Sequence, residues 1–268
     1  MFDSPYRVEP GKKVDLRKWP TDDTGQFEDK ADARPIIKKN LEKLIELQEL
    51  LYASNTHALL IVLQAMDAGG KDGAIDHVFS GVNPQGCSVT SFKIPTQLEL
   101  AHDYLWRYHM AVPKRGQIGI FNRSHYESVL VERVHDIVNK DIWSKRYQQI
   151  NDWEQTLIAE KTVVIKFFLH ISKEEQKKRL ESRLEDKTKN WKLDPNDLAE
   201  RKRWDDYMAA FEDALRFCST EKAPWYIVPA DHKWFRNWVI SDAIVRTLSS
   251  LDMKYPPAPE GLDKIKIK

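Results

Sequence analysis

No apolar run in this chain of 268 residues is long enough to cross a bilayer, and no charged-then-apolar leader opens it, so the expectation is a cytoplasmic protein without a membrane partner. Cysteine is scarce: Cys87 and Cys218 are too few to ligate a structural zinc by themselves and read as two reduced, buried thiols. The eight histidines form no H-E-x-x-H or clustered spacing, and no G-x-S-x-G elbow occurs, which argues against a zinc hydrolase or a serine esterase. Charge of one sign is lacking too: 42 Lys and Arg stand against 41 Asp and Glu, and a net charge of +1 speaks against nonspecific binding of nucleic acid. Linkers, low-complexity tracts and repeat periods are absent from the middle of the chain, which favours one large domain over two small ones.

What is present is an alternation of strand-like and helix-like segments. Residues 1–30 are polar, with turn signals at Pro10-Gly11 and Thr24-Gly25, and read as an irregular arm; residues 252–268, with Tyr255-Pro256-Pro257-Ala258-Pro259, read as a tail. Between them, residues 31–251 form the domain. From Pro35 to about Ala53, Ile37, Leu41, Leu44, Leu47 and Leu51 recur at helical spacing, which predicts a helix laid on the core. Strands are expected at about 58–64, 87–92, 117–122, 162–169 and 225–228. Helices are expected at about 71–80, 96–110, 124–138, 143–160, 172–186, 195–218 and 233–251. Such alternation predicts an α/β fold with a parallel sheet and its ligand at the strands' carboxyl ends.

The polar clusters fall at those ends. Ala65-Met66-Asp67-Ala68-Gly69-Gly70-Lys71-Asp72-Gly73 follows the run Leu59 to Leu63 in the order of a P-loop: strand, glycine turn, lysine. Backbone N–H groups of the turn cradle phosphate while the lysine reaches the transferring group. The usual G-x-x-x-x-G-K-[ST] pattern would put glycine at Ala65 and a hydroxyl at Asp72. Carboxylates beside phosphates repel them unless a cation intervenes, so Asp67 and Asp72 imply Mg²⁺, for which Mn²⁺ could substitute. The plain alternative is a helix cap followed by a solvated lysine. Asn122 and Arg123 end the third strand, where a second metal or water contact and a phosphate-facing cation belong. From Lys161 to Arg203 the chain carries 13 Lys/Arg against 8 Asp/Glu, and Arg179, Arg183 and Lys187 are spaced by four on one helical face, continued by Lys189 and Lys192. Such a stripe is either a solvated face or a lid closing over phosphates. Trp106, Trp204 and Trp234 stand in apolar helix patterns and read as core.

Taken together, the motifs resemble the polyphosphate kinase 2 family over about residues 30–250. The matching pieces are the 67–73 loop, Phe92-Lys93-Ile94-Pro95-Thr96, Leu105-Trp106-Arg107, Ile120-Phe121-Asn122-Arg123-Ser124-His125-Tyr126-Glu127, Phe168 to Gln176, Trp191-Lys192, and Pro224 to Asp231 with Lys233 and Arg236. The resemblance implies a thymidylate-kinase-like P-loop fold: a three-layer αβα sandwich with a five-stranded parallel sheet and a helical lid at about 172–218. It implies a Mg²⁺-dependent enzyme that phosphorylates nucleotides from inorganic polyphosphate, by direct in-line transfer and reversibly. Asp67, Lys71, Asn122, Arg123 and Arg183 would be catalytic, with metal held by Asp67 and Asn122. Phosphate would be bound by Ala68, Gly69, Gly70, Lys71, Asp72, Gly73, Arg179, Arg183, Lys187 and Lys189, and nucleotide by Lys93, Arg107, Asn122, Arg123 and Glu127. Many members carry aspartate where Asn122 stands; Asn122 with Glu127 resembles the subclass accepting both nucleoside mono- and diphosphates, so AMP, ADP and their guanine counterparts are the expected acceptors. The family also suggests a homo-oligomer, dimer or tetramer, in which the arm could pack on a neighbour. Two competing readings are an ATP-dependent nucleotide kinase, which Asp72 opposes, and a non-catalytic P-loop adaptor, which leaves Asp67 unexplained.

Overall fold

The structure, a computed structural model, describes residues 4–261. Five parallel strands, β1 (Ala58–Ala65), β2 (Cys87–Ser91), β3 (Ile118–Asn122), β4 (Thr162–His170) and β5 (Trp225–Pro229), form one sheet in the order β2-β3-β1-β4-β5. β1 is central because its run Leu59 to Leu63 is buried on both faces, the signature of a covered parallel strand. Its register pairs Leu63 with Asn122 on one side and Phe167 on the other, so β1 runs on to Ala65 beside β4 after β3 has ended at Asn122, and the P-loop leaves the sheet just past that end.

Helix α1 (Lys30–Ser54) starts at Asp29, whose side chain accepts from the N–H groups of Ala31 and Asp32, and stops at Asn55 in left-handed conformation. It therefore begins five residues before Pro35, where the apolar period alone would start it. α2 (Lys71–Val78) follows the P-loop directly. The helix expected at 96–110 is instead two single turns, α3 (Gln97–Leu100) and α4 (Trp106–His109). Thr96 and Glu99 form a capping box that starts α3, but the Asp103 carboxylate accepts from Leu105 N–H and opens a fresh turn. The helix expected at 124–138 is likewise replaced by a 3₁₀ turn, His125–Ser128, and the short α5 (Val131–Val134), which ends before Asp136 at φ 52°. α6 (Lys140–Ala159) is capped by Asn139. The lid segment contains α7 (Lys173–Glu185), α8 (Asn196–Lys202) and α9 (Trp204–Cys218); the single helix expected from 195 to 218 breaks at Arg203, which donates to Val134 O at 2.5 Å. α10 (Lys233–Ser249) closes the domain against α1 and α2.

The arm lies on its own sheet. Val8 N–H donates to Trp225 O at 2.9 Å and Ile227 N–H to Tyr6 O at 2.8 Å, so an antiparallel bridge caps the β5 edge. Tyr6, Val8, Leu16 and Phe27 join the core. Residues 252–261 carry neither helix nor strand, and the tail from 262 onward lies outside the described residues. Among the described residues no helix is long and apolar enough to cross a membrane.

Candidate active site at the carboxyl ends of β1 and β3

The loop between β1 and α2 turns through two left-handed residues, Ala68 at φ 58° and Gly70 at φ 97°. Gly69 is required for a different reason: a Cβ there would stand 2.5 Å from Ala65 Cβ and 2.7 Å from Met66 O. Ala65, standing where the usual pattern has glycine, is thus accommodated by Gly69 opposite it. Gly70 caps α2 without any side-chain hydrogen bond, leaving the helix's first N–H groups for an anion.

Lys71 extends back along the loop, its ammonium donating to Ala65 O at 3.2 Å. Burial pushes its pKa down, the Arg123 guanidinium adds to that, and Asp67, Glu127 and Asp72 oppose it. The cation is therefore ringed by three carboxylates and an arginine. Arg123 holds a left-handed conformation at φ 62° and places Nη2 3.0 Å from Asp67 Oδ1. Asn122 Nδ2 donates to Asp72 Oδ1 at 2.6 Å, which joins the third strand to the start of α2. Glu127, in the 3₁₀ turn, has its carboxyl pushed up by burial, against the pull of Arg123 and Lys71. Gln64 secures the turn by donating to Ser124 Oγ at 3.2 Å. The structure thus brings Asp67, Lys71, Asp72, Asn122, Arg123 and Glu127 into one cluster.

The basic stripe divides. Arg179 turns onto the P-loop itself: Nη1 donates to Ala68 O and Gly69 O at 3.3 and 3.1 Å, Nη2 to Ala230 O and Asp231 O at 2.5 and 3.1 Å, and Nε to Glu175 at 2.8 Å. All five of its N–H donors are engaged. Arg183 stays within the lid, donating to Lys192 O at 3.1 Å with Asp197 at 3.7 Å. Lys187 is exposed, and Lys189 pairs with Asp186 at 2.5 Å, a hydrogen bond that leads in drawing that carboxyl down to about 2. Trp191 is 78 % exposed at the lid's tip. On the other flank, Arg107 lies between Glu99 at 3.1 Å and the rings of Phe92 and Tyr108, donates to Lys93 O at 3.0 Å, and leaves the Lys93 side chain exposed.

Three residues of the site had no role in the sequence reading. Gln176, 1 % exposed, donates to Asp67 O at 2.9 Å and accepts from Arg201 at 2.8 Å, tying α7 and α8 to the loop. Asp197 is buried near the lid turn, its carboxyl held up by burial and then by the charge of Asp67. Arg236 donates to Gly70 O at 3.0 Å. Gln176 and Arg236 lie in segments that carry the family resemblance, but no pattern rule distinguishes a glutamine or arginine that binds a loop carbonyl from one on the surface.

The polyphosphate kinase 2 (PPK2) family model matches residues 27–256. The chain belongs to the polyphosphate kinase 2 family. It is 50 % identical over 267 residues to the AMP/ADP-polyphosphate phosphotransferase of Meiothermus ruber, covering 98 % of this chain and 99 % of that protein. To the ADP-polyphosphate phosphotransferase of Rhodopseudomonas palustris it is 50 % identical over 263 residues, 94 % of this chain and 91 % of that one. The crystal structure of polyphosphate kinase 2 from Arthrobacter aurescens TC1 superposes with a TM-score of 0.93 at 41 % identity, covering 97 % of this chain and 93 % of that one. As a polyphosphate kinase 2 family member, the chain carries a P-loop kinase fold with transferase chemistry, and the expected five-stranded parallel sheet is the one observed.

Proposed function

We propose that this chain is a Mg²⁺-dependent polyphosphate:nucleotide phosphotransferase that moves the terminal phosphoryl group of inorganic polyphosphate to AMP and ADP, and to GMP and GDP, reversibly and in the cytoplasm. The observation that carries the reading is the cluster at the mouth of the P-loop: Lys71 and Arg123, two cations, interleaved with Asp67 and Glu127. Full-length likeness to a protein named for AMP and ADP supports the acceptor range.

The donor set suits magnesium. Among the described residues no three His, Cys, Asp or Glu side chains gather to hold a metal. Mg²⁺ needs no such cage, since it binds one or two carboxylates together with substrate phosphates and water. Asp67 would hold it, with the amide oxygen of Asn122, whose Nδ2 is taken by Asp72. Magnesium bound there would neutralise charge on the transferring phosphates. Transfer forms a P–O bond from the acceptor's terminal phosphate oxygen as the bridging P–O bond of the donor breaks, and the shortened polyphosphate leaves. Lys71 and Arg123 stabilise the charge on the moving group, and the N–H groups of the loop hold the donor. Arg183, Lys187 and Lys189 on the lid would follow the donor chain, and Lys93, on the loop ordered by Arg107, would face the acceptor. No covalent enzyme intermediate is needed, because alignment and charge neutralisation suffice. We also propose a homo-oligomer, dimer or tetramer, which light scattering on an eluting peak would test; a monomer at working concentration counts against it.

The deciding experiment supplies Mg²⁺ and AMP with either long-chain polyphosphate or GTP as donor and resolves ADP and ATP chromatographically. ADP followed by ATP from polyphosphate alone is expected. Product with GTP only would overturn the reading.

A further inference from the structure

Arg236 on α10 is 2 % exposed, yet among the described residues no carboxylate stands within ion-pair distance of it. Its Nε and Nη2 donate to Asn237 Oδ1 at 3.0 and 2.8 Å, and its Nη1 donates to Gly70 O at 3.0 Å. Arg179 occupies the same side of the loop, but there Glu175 balances the charge at 2.8 Å. The two guanidiniums are close: a Cβ on Gly70 would lie 2.2 Å from Arg236 Nη1 and 3.3 Å from Arg179 Nη1. Burial and the neighbouring Arg179 push the Arg236 guanidinium down to about 10, and burial, followed by the charges of both arginines, pushes the Lys233 ammonium down.

Three consecutive P-loop carbonyls, those of Ala68, Gly69 and Gly70, thus each receive a guanidinium hydrogen bond. In a trans peptide unit the N–H points opposite to its carbonyl. Fixing Gly69 O and Gly70 O on the arginine side therefore turns the N–H groups of Gly70 and Lys71 to the other face. Neither finds an acceptor among the described residues. A buried charge without a partner is costly. Here the hydrogen-bonded peptide units relay it across one layer of backbone to the face where the phosphate belongs.

We propose that Arg236 is a positioning residue for phosphate capture, its counter-ion being the phosphate chain bound on the opposite face of the P-loop. This rests on the polyphosphate-donor reading. The role separates Arg236 from a core arginine that only packs: its loss would weaken phosphate binding more than it weakens the fold.

The test compares wild type with Arg236→Met, which removes the charge, and Arg236→Lys, which retains charge without the fork. Titration calorimetry with inorganic tripolyphosphate and Mg²⁺, melting curves with and without that ligand, and the KM for AMP are measured on each. Arg236→Met should bind tripolyphosphate at least about tenfold more weakly and lose most of the ligand-induced rise in melting temperature, with Arg236→Lys intermediate. KM for AMP should stay within about twofold, since the acceptor site is separate. Should Arg236→Met fail to fold, Arg236→Lys carries the same comparison. Unchanged tripolyphosphate affinity in a folded variant overturns the inference alone, as does an equal fall for tripolyphosphate and AMP. A wild-type protein that binds no tripolyphosphate overturns the donor reading and the inference with it.

Discussion

The floor of the cleft and the tip of the lid are both rich in basic residues, but they are held in opposite ways. On the floor, Asp67, Gly70 and Arg123 are gripped by partners more than fifty residues away in sequence: Gln176, Arg236 and, for Arg123, Asp67 itself. At the tip, Arg183, Lys189 and Asn190 bond within the lid, to Lys192, Asp186 and the end of α7. Leu184, Trp191 and Leu198 are exposed there. Long-range hydrogen bonds among half-buried groups fix geometry, whereas local contacts among exposed ones leave a segment free to open. Under the proposed function, this difference suits the floor to the precise work of phosphoryl transfer and the lid to the capture of a long, uniform polyanion.

Substitutions can break that comparison. The largest effect belongs to Lys71→Ala, which should lower kcat by roughly a thousandfold with the melting temperature preserved, because a cation at the transferring phosphate is lost. Near-normal turnover would remove the P-loop assignment. Arg123→Ala should come next, at roughly a hundredfold in kcat, and it also releases Asp67 from its 3.0 Å partner. A rise in KM with kcat unchanged would place Arg123 outside the transfer step. Arg183→Ala should raise KM for polyphosphate by about tenfold, flatten its salt dependence and leave kcat close to wild type. If kcat collapsed instead, the lid would share the floor's role. Smallest is Lys189→Ala, whose exposed pair with Asp186 should contribute little to stability, leaving the midpoint of chemical denaturation close to wild type. A larger loss would show that the lid tip is held as firmly as the floor.

The core offers a contrasting control. Lys166, buried in β4, donates to Glu154 at 2.5 Å and to Cys218 O at 2.8 Å, while His125 and Tyr126 share the same carboxylate. Lys166→Met leaves Glu154 buried without its cation and should destabilise the fold by about 3 kcal/mol in urea titrations. A smaller cost than a surface substitution would mean that water reaches the pair.

Much of this was legible in the residues. The central strands were, because parallel strands covered on both faces must be largely apolar, and Leu59 to Leu63 are throughout while Val163 to Leu169 are except at Lys166. The P-loop was, because a glycine pair before a lysine after such a strand has few other uses. The segments at 96–110 and 124–138 were not: Asp103 and Ser124 each divert a backbone N–H to a side chain, and a propensity summed over fifteen residues does not register one competing hydrogen bond. Nor was the split of the basic stripe. Arg179 and Arg183 share a helical face and a spacing of four, yet one clamps loop carbonyls and the other a lid turn.

The sequence by itself determined the order of strands and helices along the chain, the glycine turn of the P-loop and the residue types at its mouth, since periodicity and local backbone chemistry are properties of neighbours along the chain. Only the tertiary structure decided which cation faces which group. Whether Arg179 and Arg236 end on the carbonyl side of the P-loop, and whether the arm lies on β5, depends on elements brought together from opposite ends of the chain, where a difference of a few ångströms separates a clamp from a ligand.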